Sequence, residues 1–269
     1  MKYLVAVALL AGATTQAQAQ YTPLAPASRF INPPPPLKKD GQWRGLIGAS
    51  LALTAGNSET NALLLNMDVA RQTAHTKIAV QGFMNRASSR ANDEVQTTSN
   101  KWGLATQYDS DLSNRWFAFG KLGFDGDRLI DLTLRTTVAA GVGYHLIDTN
   151  EQSLNVFGGA SYIDRRYRAD QVINDRTARH FSSPGAILGE ESTHQLNERV
   201  SLKQRLEVYP DFSPDHAHLA RFNGALNVSM SQKLSLSVGL LSTYNQQVPP
   251  GIKKTDTSLF TGINVKLGD

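Results

Sequence analysis

From Leu132 to His145 the chain alternates: Leu132, Leu134, Thr136, Val138, Ala140, Val142 and Tyr144 form a nearly apolar set. Between them lie Thr133, Arg135, Thr137, Ala139, Gly141, Gly143 and His145, which are small, polar or basic. Successive side chains of a strand point to opposite faces, so this segment predicts a strand with one greasy and one wet side. It exceeds the roughly 5–6 residues usual in soluble sheets and reaches the roughly 9–11 that a tilted strand needs to cross a bilayer. The same period recurs along most of the chain. Trp43, Gly45, Ile47, Ala49, Leu51 and Leu53 alternate with Arg44, Gly48 and Ser50, and Leu63, Leu65, Met67 and Val69 with Asn66 and Asp68. Ile78 and Val80 oppose Lys77 and Gln81, while Trp102, Leu104 and Tyr108 mark a fourth strand. Between Arg115 and Phe124, aromatics on both faces leave the orientation open, and Asp125, Asp127 and Asp131 bracket the next reversal.

After Tyr162 the alternation lapses. The stretch 165–190 holds Arg165, Arg166, Arg168, Arg176 and Arg179 with few periodic apolar positions, and reads as a long loop folded into or over the rest. The alternation returns at Val200, Leu202, Leu206 and Val208 against Lys203, Arg205 and Glu207, and again at Ala220–Met230 against Arg221, Asn223 and Asn227. Two further segments end at Leu267. Short connections at 72–75, 109–114, 148–153, 197–199 and 231–233 alternate with longer ones at 87–95, 165–190, 209–216 and 245–254. The sum is an all-β chain: a transmembrane antiparallel up-and-down β-barrel of about 12 strands, with the even count and short-turn/long-loop asymmetry of bacterial outer-membrane barrels. A soluble sandwich or lipocalin-like barrel would turn its apolar set inward over shorter strands.

Composition adds little against this and removes alternatives. The 41% hydrophobic content and mean hydropathy of −0.30 suit a barrel in which alternate residues alone face lipid. No apolar run beyond the N-terminus is long enough for a helical span. The chain has no cysteine, so disulfides, thiolate metal sites and cysteine nucleophiles drop out. A net charge of +4 spread through the strands argues against nucleic acid as a partner. At the start, Lys2, the apolar run Leu4–Ala11 and Ala17-Gln18-Ala19 predict a cleaved signal peptide over 1–19. Residues 20–42, with prolines at 33–36, predict an extended periplasmic lead-in, and 43–269 the barrel. The location predicted is the cell outer membrane, with its lipid, the barrel-assembly machinery and periplasmic chaperones as partners.

The order of several short motifs carries a resemblance. Trp43 enters the first strand, GNSET follows at 56–60, DSDLSNRWFAFGKLGFDGD starts at Asp109, LRTTVAAGVGYH starts at Leu134, and VPPG at Val248 precedes Asp256 and a final strand. From Trp43 onward the chain resembles the salt-induced outer-membrane protein family, YdiY-like, a domain of unknown function. The resemblance implies an outer-membrane barrel linked to envelope or salt stress, and it brings no catalytic residues. The chain ends Leu267-Gly268-Asp269, where outer-membrane proteins often end in an aromatic residue.

Candidate chemistry lies on the wet faces. Arg44, Lys77, Lys101, Arg135, Lys203, Arg205, Arg221 and Lys266 are predicted to line the lumen, against Asp68 and Glu207. Two readings of this set stay open: a basic, narrow channel favouring anions, and a salt-bridged interior that closes the pore. A non-conducting, partner-binding barrel is the alternative function, and a barrel-embedded lipid hydrolase a more distant one. For the latter no GxSxG nucleophile context is present. His216-x-His218 beside Pro214 reads as a solvated pair in preference to a metal site, and no cofactor is implied. Gly141 and Gly143 read as relief of crowding inside a curved wall.

Overall fold

The computed structural model describes residues 39–54, 58–91, 94–149, 151–173, 176–213, 217–246 and 253–268. The predicted signal peptide, nearly all of the proline-rich lead-in, part of the first reversal, and VPPG fall outside the described residues. Among those described, the strands are β1 (Trp43–Thr54), β2 (Ser58–Gln72), β3 (Thr76–Ala91), β4 (Glu94–Asp111), β5 (Trp116–Asp127) and β6 (Leu132–Asp148). They continue as β7 (Gln152–Ile173), β8 (Arg176–Gln195), β9 (Val200–Tyr209), β10 (Leu219–Ser229), β11 (Leu234–Asn245) and β12 (Thr255–Leu267). Each pairs antiparallel with its sequence neighbours, and β1 closes on β12 from Gly45 opposite Leu267 to Ala49 opposite Ile263. The fold is therefore a closed up-and-down barrel of these twelve strands, and closure leaves none of them at the edge of the sheet.

The wall is inside-out relative to a soluble protein. Leu51 is 70% exposed, Leu188 55% and Ile263 56%, whereas Lys101, Arg205 and Glu207 are each 5% exposed or less. Charged residues are almost never fully buried in soluble domains unless paired, so water lies inside and hydrocarbon outside. The barrel is a transmembrane one. Outward aromatics stand near both rims of this apolar band: Trp43, Tyr108, Trp116 and Tyr144 at one, Trp102, Phe124, Tyr162 and Tyr244 at the other. Such girdles sit at the two membrane interfaces of outer-membrane barrels. Polar pairs interrupt the apolar band where Gln204 donates to Glu190 at 3.0 Å on the outward face of β8 and β9, and where the Ser242 and Thr257 hydroxyls meet at 3.1 Å on that of β11 and β12.

The end carrying β1's start and β12's finish also carries five tight turns, and by the architecture's rule is the periplasmic one. These turns share one device. A side-chain oxygen of Thr73, Ser113, Thr149, Asn197 or Ser231 accepts from the backbone N–H three residues on, at 2.9–3.1 Å. Short polar side chains mimic a backbone acceptor in this way and reverse the chain with few residues.

At the outer end the structure departs from the sequence expectation. The predicted loop 165–190 is instead the paired upper part of β7 and β8, from Arg165 opposite Phe181 to Ile173 opposite Arg176. This hairpin rises beyond the level of Tyr162, where outward positions need not be apolar: Arg166 and Arg168 are exposed there, Arg179 is exposed as well, and Arg176, opposite Ile173, sets its guanidinium 5.3 Å from the Phe181 ring. Its inward side instead carries Tyr167, Ile173 and Phe181, which pack with Leu132. Leu132 joins them because a register shift between Leu132 and Leu134 turns it inward, out of the lipid-facing set predicted for it. The predicted loop 87–95 is likewise largely strand, as β3 reaches Ala91 and β4 begins at Glu94. The reversal after β5 is narrower than 125–131. Asp125 and Asp127 belong to β5, Asp127 accepts from Leu129 N–H at 3.0 Å, and Asp131 ends the short 3-10 turn with φ 55°.

Candidate functional site in the lumen

The open orientation of β5 decides how the lumen is filled. Phe117, Phe119, Lys121, Asp125 and Asp127 all point inward, with Trp116 and Leu122 outward. Phe117 lies over Gly143, where an added Cβ would meet the ring at 2.1 Å, so this glycine does make room inside the wall. The ring also stacks on His145 at 4.7 Å. Phe117 and Phe119 pack with Phe157, Ile187, Tyr209 and Leu219 into an apolar cluster inside the barrel.

Beside it a charged network crosses the lumen. Lys121 on β5 pairs with Glu207 on β9 and donates to the Tyr209 hydroxyl at 3.0 Å, and that hydroxyl donates to Glu207 at 2.9 Å. Arg205 donates through Nε to Glu207 at 2.8 Å, pairs with Glu191 on β8, and reaches Gln107 on β4 at 2.8 Å. Lys77 on β3 meets Glu191 from the other wall at 3.5 Å, and Lys203 carries its charge close to the same carboxylate. Strands four and five places apart around the barrel are thereby tied together. Each cation of this network has a carboxylate close to it, which is the condition under which buried charge is tolerated.

Toward the outer mouth, Lys101 pairs with Asp127 at 3.2 Å, Arg135 donates to Asp125 at 2.9 Å, and Arg221 lies 3.5 Å from the same Asp125. Arg165 is buried at 1% exposure and donates through Nη1 to Ser183 at 2.9 Å. Asp211, in the β9–β10 connection, accepts from Ser213 N–H at 2.8 Å, Ser213 hydroxyl at 2.9 Å and Ala217 N–H at 2.6 Å. Burial pushes its carboxyl up, but those hydrogen bonds to the ionised form outweigh it and hold the group below the ordinary carboxylate range. At the periplasmic mouth Arg44 forms a two-pronged contact with Asp40, 2.6 Å on each arm, and Lys266 donates to Ser229 at 2.8 Å. That contact holds the Asp40 carboxyl well below its usual range.

The opposite side of the lumen, β10–β12 with β1 and β2, is built from amides and hydroxyls. Asn66 and Asn264 approach each other over Gly48, where a Cβ would stand 2.6 and 2.0 Å from their side-chain oxygens. Asn264 donates to Ser237 at 3.1 Å. Among the described residues, the side-chain amides of Asn66, Asn223 and Asn227 and the hydroxyls of Ser50 and Ser235 are buried without a hydrogen-bond partner. Leaving such a group unsatisfied costs about 1–3 kcal/mol, so this strip is the poorly satisfied part of the lumen. Above most of them, Leu64 and Leu241 meet from β2 and β11, with Phe83 against them.

All ten predicted lumen residues lie on the inward set, and most of the basic ones face an acid: Arg44, Lys77, Lys101, Arg135, Arg205 and Arg221 as above. Asp68 is buried on the wet face, 3% exposed. Sequence reading missed Lys121, Glu191, Asp125, Asp127 and Arg165. Lys121 was hidden by the aromatics around it, the two aspartates by assignment to a turn, and Glu191 and Arg165 by the lapse of alternation. Register could have shown one link, since Asp125 stands directly opposite Arg135. Of the His216-x-His218 pair, His216 lies outside the described residues, and His218 accepts the Asp211 N–H at 3.0 Å.

Residues 47–267 match the model of a family described as protein of unknown function, DUF481. The chain belongs to that family. This agrees with the resemblance carried by its motifs. No curated protein matches the chain. Among solved structures, the NanC porin is 11% identical with a TM-score of 0.49, covering 84% of this chain and all of that one. An outer-membrane channel of Pseudomonas putida F1 is 14% identical with a TM-score of 0.46, covering 90% of this chain and 98% of that one. The translocator domain of the autotransporter NalP from Neisseria meningitidis is 12% identical with a TM-score of 0.46, covering 86% and 90%.

Proposed function

We propose that this family member is an outer-membrane barrel, exported by its signal peptide, that offers small hydrophilic solutes a narrow, eccentric passage. The observation that carries the reading is the strip of partnerless amides and hydroxyls, Asn66, Asn223, Asn227, Ser50 and Ser235. Polar groups of that kind need water, and a water-lined strip beside a filled half-lumen is a narrow conduit. A mild preference for anions rests on the outer mouth, where Arg135, Arg165 and Arg221 gather around Asp125. Leu64 and Leu241 form an apolar pinch, the kind of element that gates by dewetting. The role proposed is transport and not catalysis, and its tie to envelope or salt stress rests on the family resemblance alone.

The test is conductance of the refolded mature protein in a planar bilayer under a salt gradient. Stepwise currents with an anion-side reversal potential are expected. Asn66→Leu with Asn227→Leu should cut the current several-fold, and Leu64→Ala should raise it. The second reading, a non-conducting structural barrel, is favoured by the cross-lumen pairs of Lys121, Arg205 and Lys77. An inserted but silent barrel, silent also as Leu64→Ala, selects that reading and refutes the channel.

A further inference from the structure

We propose that the outer mouth of the lumen holds a carboxylate-binding site whose chief ligand is the fork formed by Nε and Nη2 of Arg165. Arg165 projects inward from β7, opposite Arg135 on β6 and Phe181 on β8. Its Nη1 donates to Ser183, but Nε and Nη2 are buried without an acceptor among the described residues. Those two N–H groups lie on one edge of the planar guanidinium and point the same way, which is the geometry that takes both oxygens of a carboxylate. A buried cation with that edge unsatisfied is costly, so native structures fill it.

Among the described residues the acids nearby are already engaged. Asp125 is shared by Arg135 and Arg221, Asp127 holds Lys101, and Asp211 accepts three hydrogen bonds within its own loop and meets Arg165 only through the Ser183 hydroxyl between them. Three guanidiniums around Asp125 and Asp211 leave one positive charge over, which one bound carboxylate would neutralise. A second orphan lies next to it: Thr137, two residues from Arg135 on the same inward face, has a fully buried hydroxyl with no partner. Its O–H is a further donor for the same anion. The position is just inside the outer mouth, beneath the Tyr167–Phe181 pair, where a solute entering from outside would meet it first.

The site deepens the anion preference proposed above but does not need conduction, so the two can fail separately. The refolded full mature barrel in detergent would be heated in rising sodium acetate, with sodium chloride replaced to hold ionic strength constant. Acetate is expected to raise the unfolding midpoint saturably in wild type, as a ligand of the folded state must. Arg165→Met should flatten that dependence. It should itself fold, because it removes an unpaired buried charge. Arg165→Lys keeps the charge without the fork and should weaken the acetate response about tenfold. Equal acetate responses in wild type and Arg165→Met, or none in wild type, would overturn the site. An Arg165-dependent response to sodium sulfate as strong as that to acetate would overturn the carboxylate assignment. A silent barrel that binds acetate removes the channel and keeps the site; a conducting barrel indifferent to acetate does the reverse.

Discussion

On the β3–β9 side of the lumen, Lys121, Arg205 and Lys77 reach across to Glu207 and Glu191, and nearly every ionised group there is answered by another. On the β10–β12, β1 and β2 side, Asn66, Asn223 and Asn227 are about as buried as those ions, yet among the described residues their amides have no partner. One half of the same cavity satisfies its polar groups with side chains, the other leaves them unpaired. The difference teaches that inward-facing polarity does not by itself make a pore. What matters is whether the polar groups are long and complementary enough to find each other across the gap. Lysine, arginine and glutamate span it; asparagine and serine do not.

The largest expected effect comes from breaking the first side. Glu207→Leu leaves Lys121 and Arg205 buried with one carboxylate removed from both, which should cost about 3–5 kcal/mol. The folded, heat-modifiable band on unboiled gels should be lost or shifted to far lower temperature. Asn227→Leu on the other side replaces an unpaired buried amide with an apolar group of similar volume and should change stability by less than about 1 kcal/mol. A Glu207→Leu barrel as stable as wild type would mean that the network does not hold the two walls.

Next in size is an attempt to crowd the amide-rich side. Gly48→Val places side-chain atoms where the Asn66 and Asn264 oxygens now converge, at 2.6 and 2.0 Å from the first added carbon. Overpacking of this kind typically costs about 1–3 kcal/mol, and in the channel reading it should also reduce conductance. Unchanged current and melting would show that this strip has more room than its convergence implies.

A smaller effect sharpens the comparison at the outer rim, where the β9–β10 connection caps the filled side. Asp211 holds that connection through its carboxylate, and its pKa is depressed in the folded state. A depressed carboxylate contributes stability that is fully present above its unfolded value, near 3.9 on average. That stability is lost as pH falls through the lower, folded value. Acid titration of the unfolding midpoint should therefore show a loss below about pH 4 that Asp211→Asn lacks. Identical acid profiles for the two proteins would remove Asp211 as the clamp.

The alternation made the wall and its facing legible from the chain, and for most strands it named the inward residues as well. It failed where its physical cause fails. Above Tyr162 no lipid touches the outward face, so Arg166 and Arg168 could occupy it and the β7–β8 hairpin looked like a loop. A bulge at Leu132–Leu134 turned one leucine inward, which no period of two can foresee. The partners inside the lumen were harder still. Lys121 and Glu207 lie 86 residues apart in sequence and meet because of strand order and register together. A sequence supplies the ions of such a site long before it supplies their pairing.

The periplasmic turns provide the smallest effect and the control for the whole comparison. Ser231 closes the turn beneath the amide-rich side and Ser113 the turn beneath the charged side, each through one side-chain oxygen that accepts from two backbone N–H groups, the shorter contacts being 3.0 and 3.1 Å. Since the device is local and solvent-exposed, its loss in Ser231→Ala or Ser113→Ala should cost about 0.5–1 kcal/mol, near the ordinary net worth of one hydrogen bond. The two costs should be alike. If Ser113→Ala proved several times more damaging than Ser231→Ala, the strands above the charged side would be tensioned by their cross-lumen pairs. The asymmetry of the lumen would then reach the wall itself, and the Glu207→Leu result would have to be read as strain released as well as charge left unpaired.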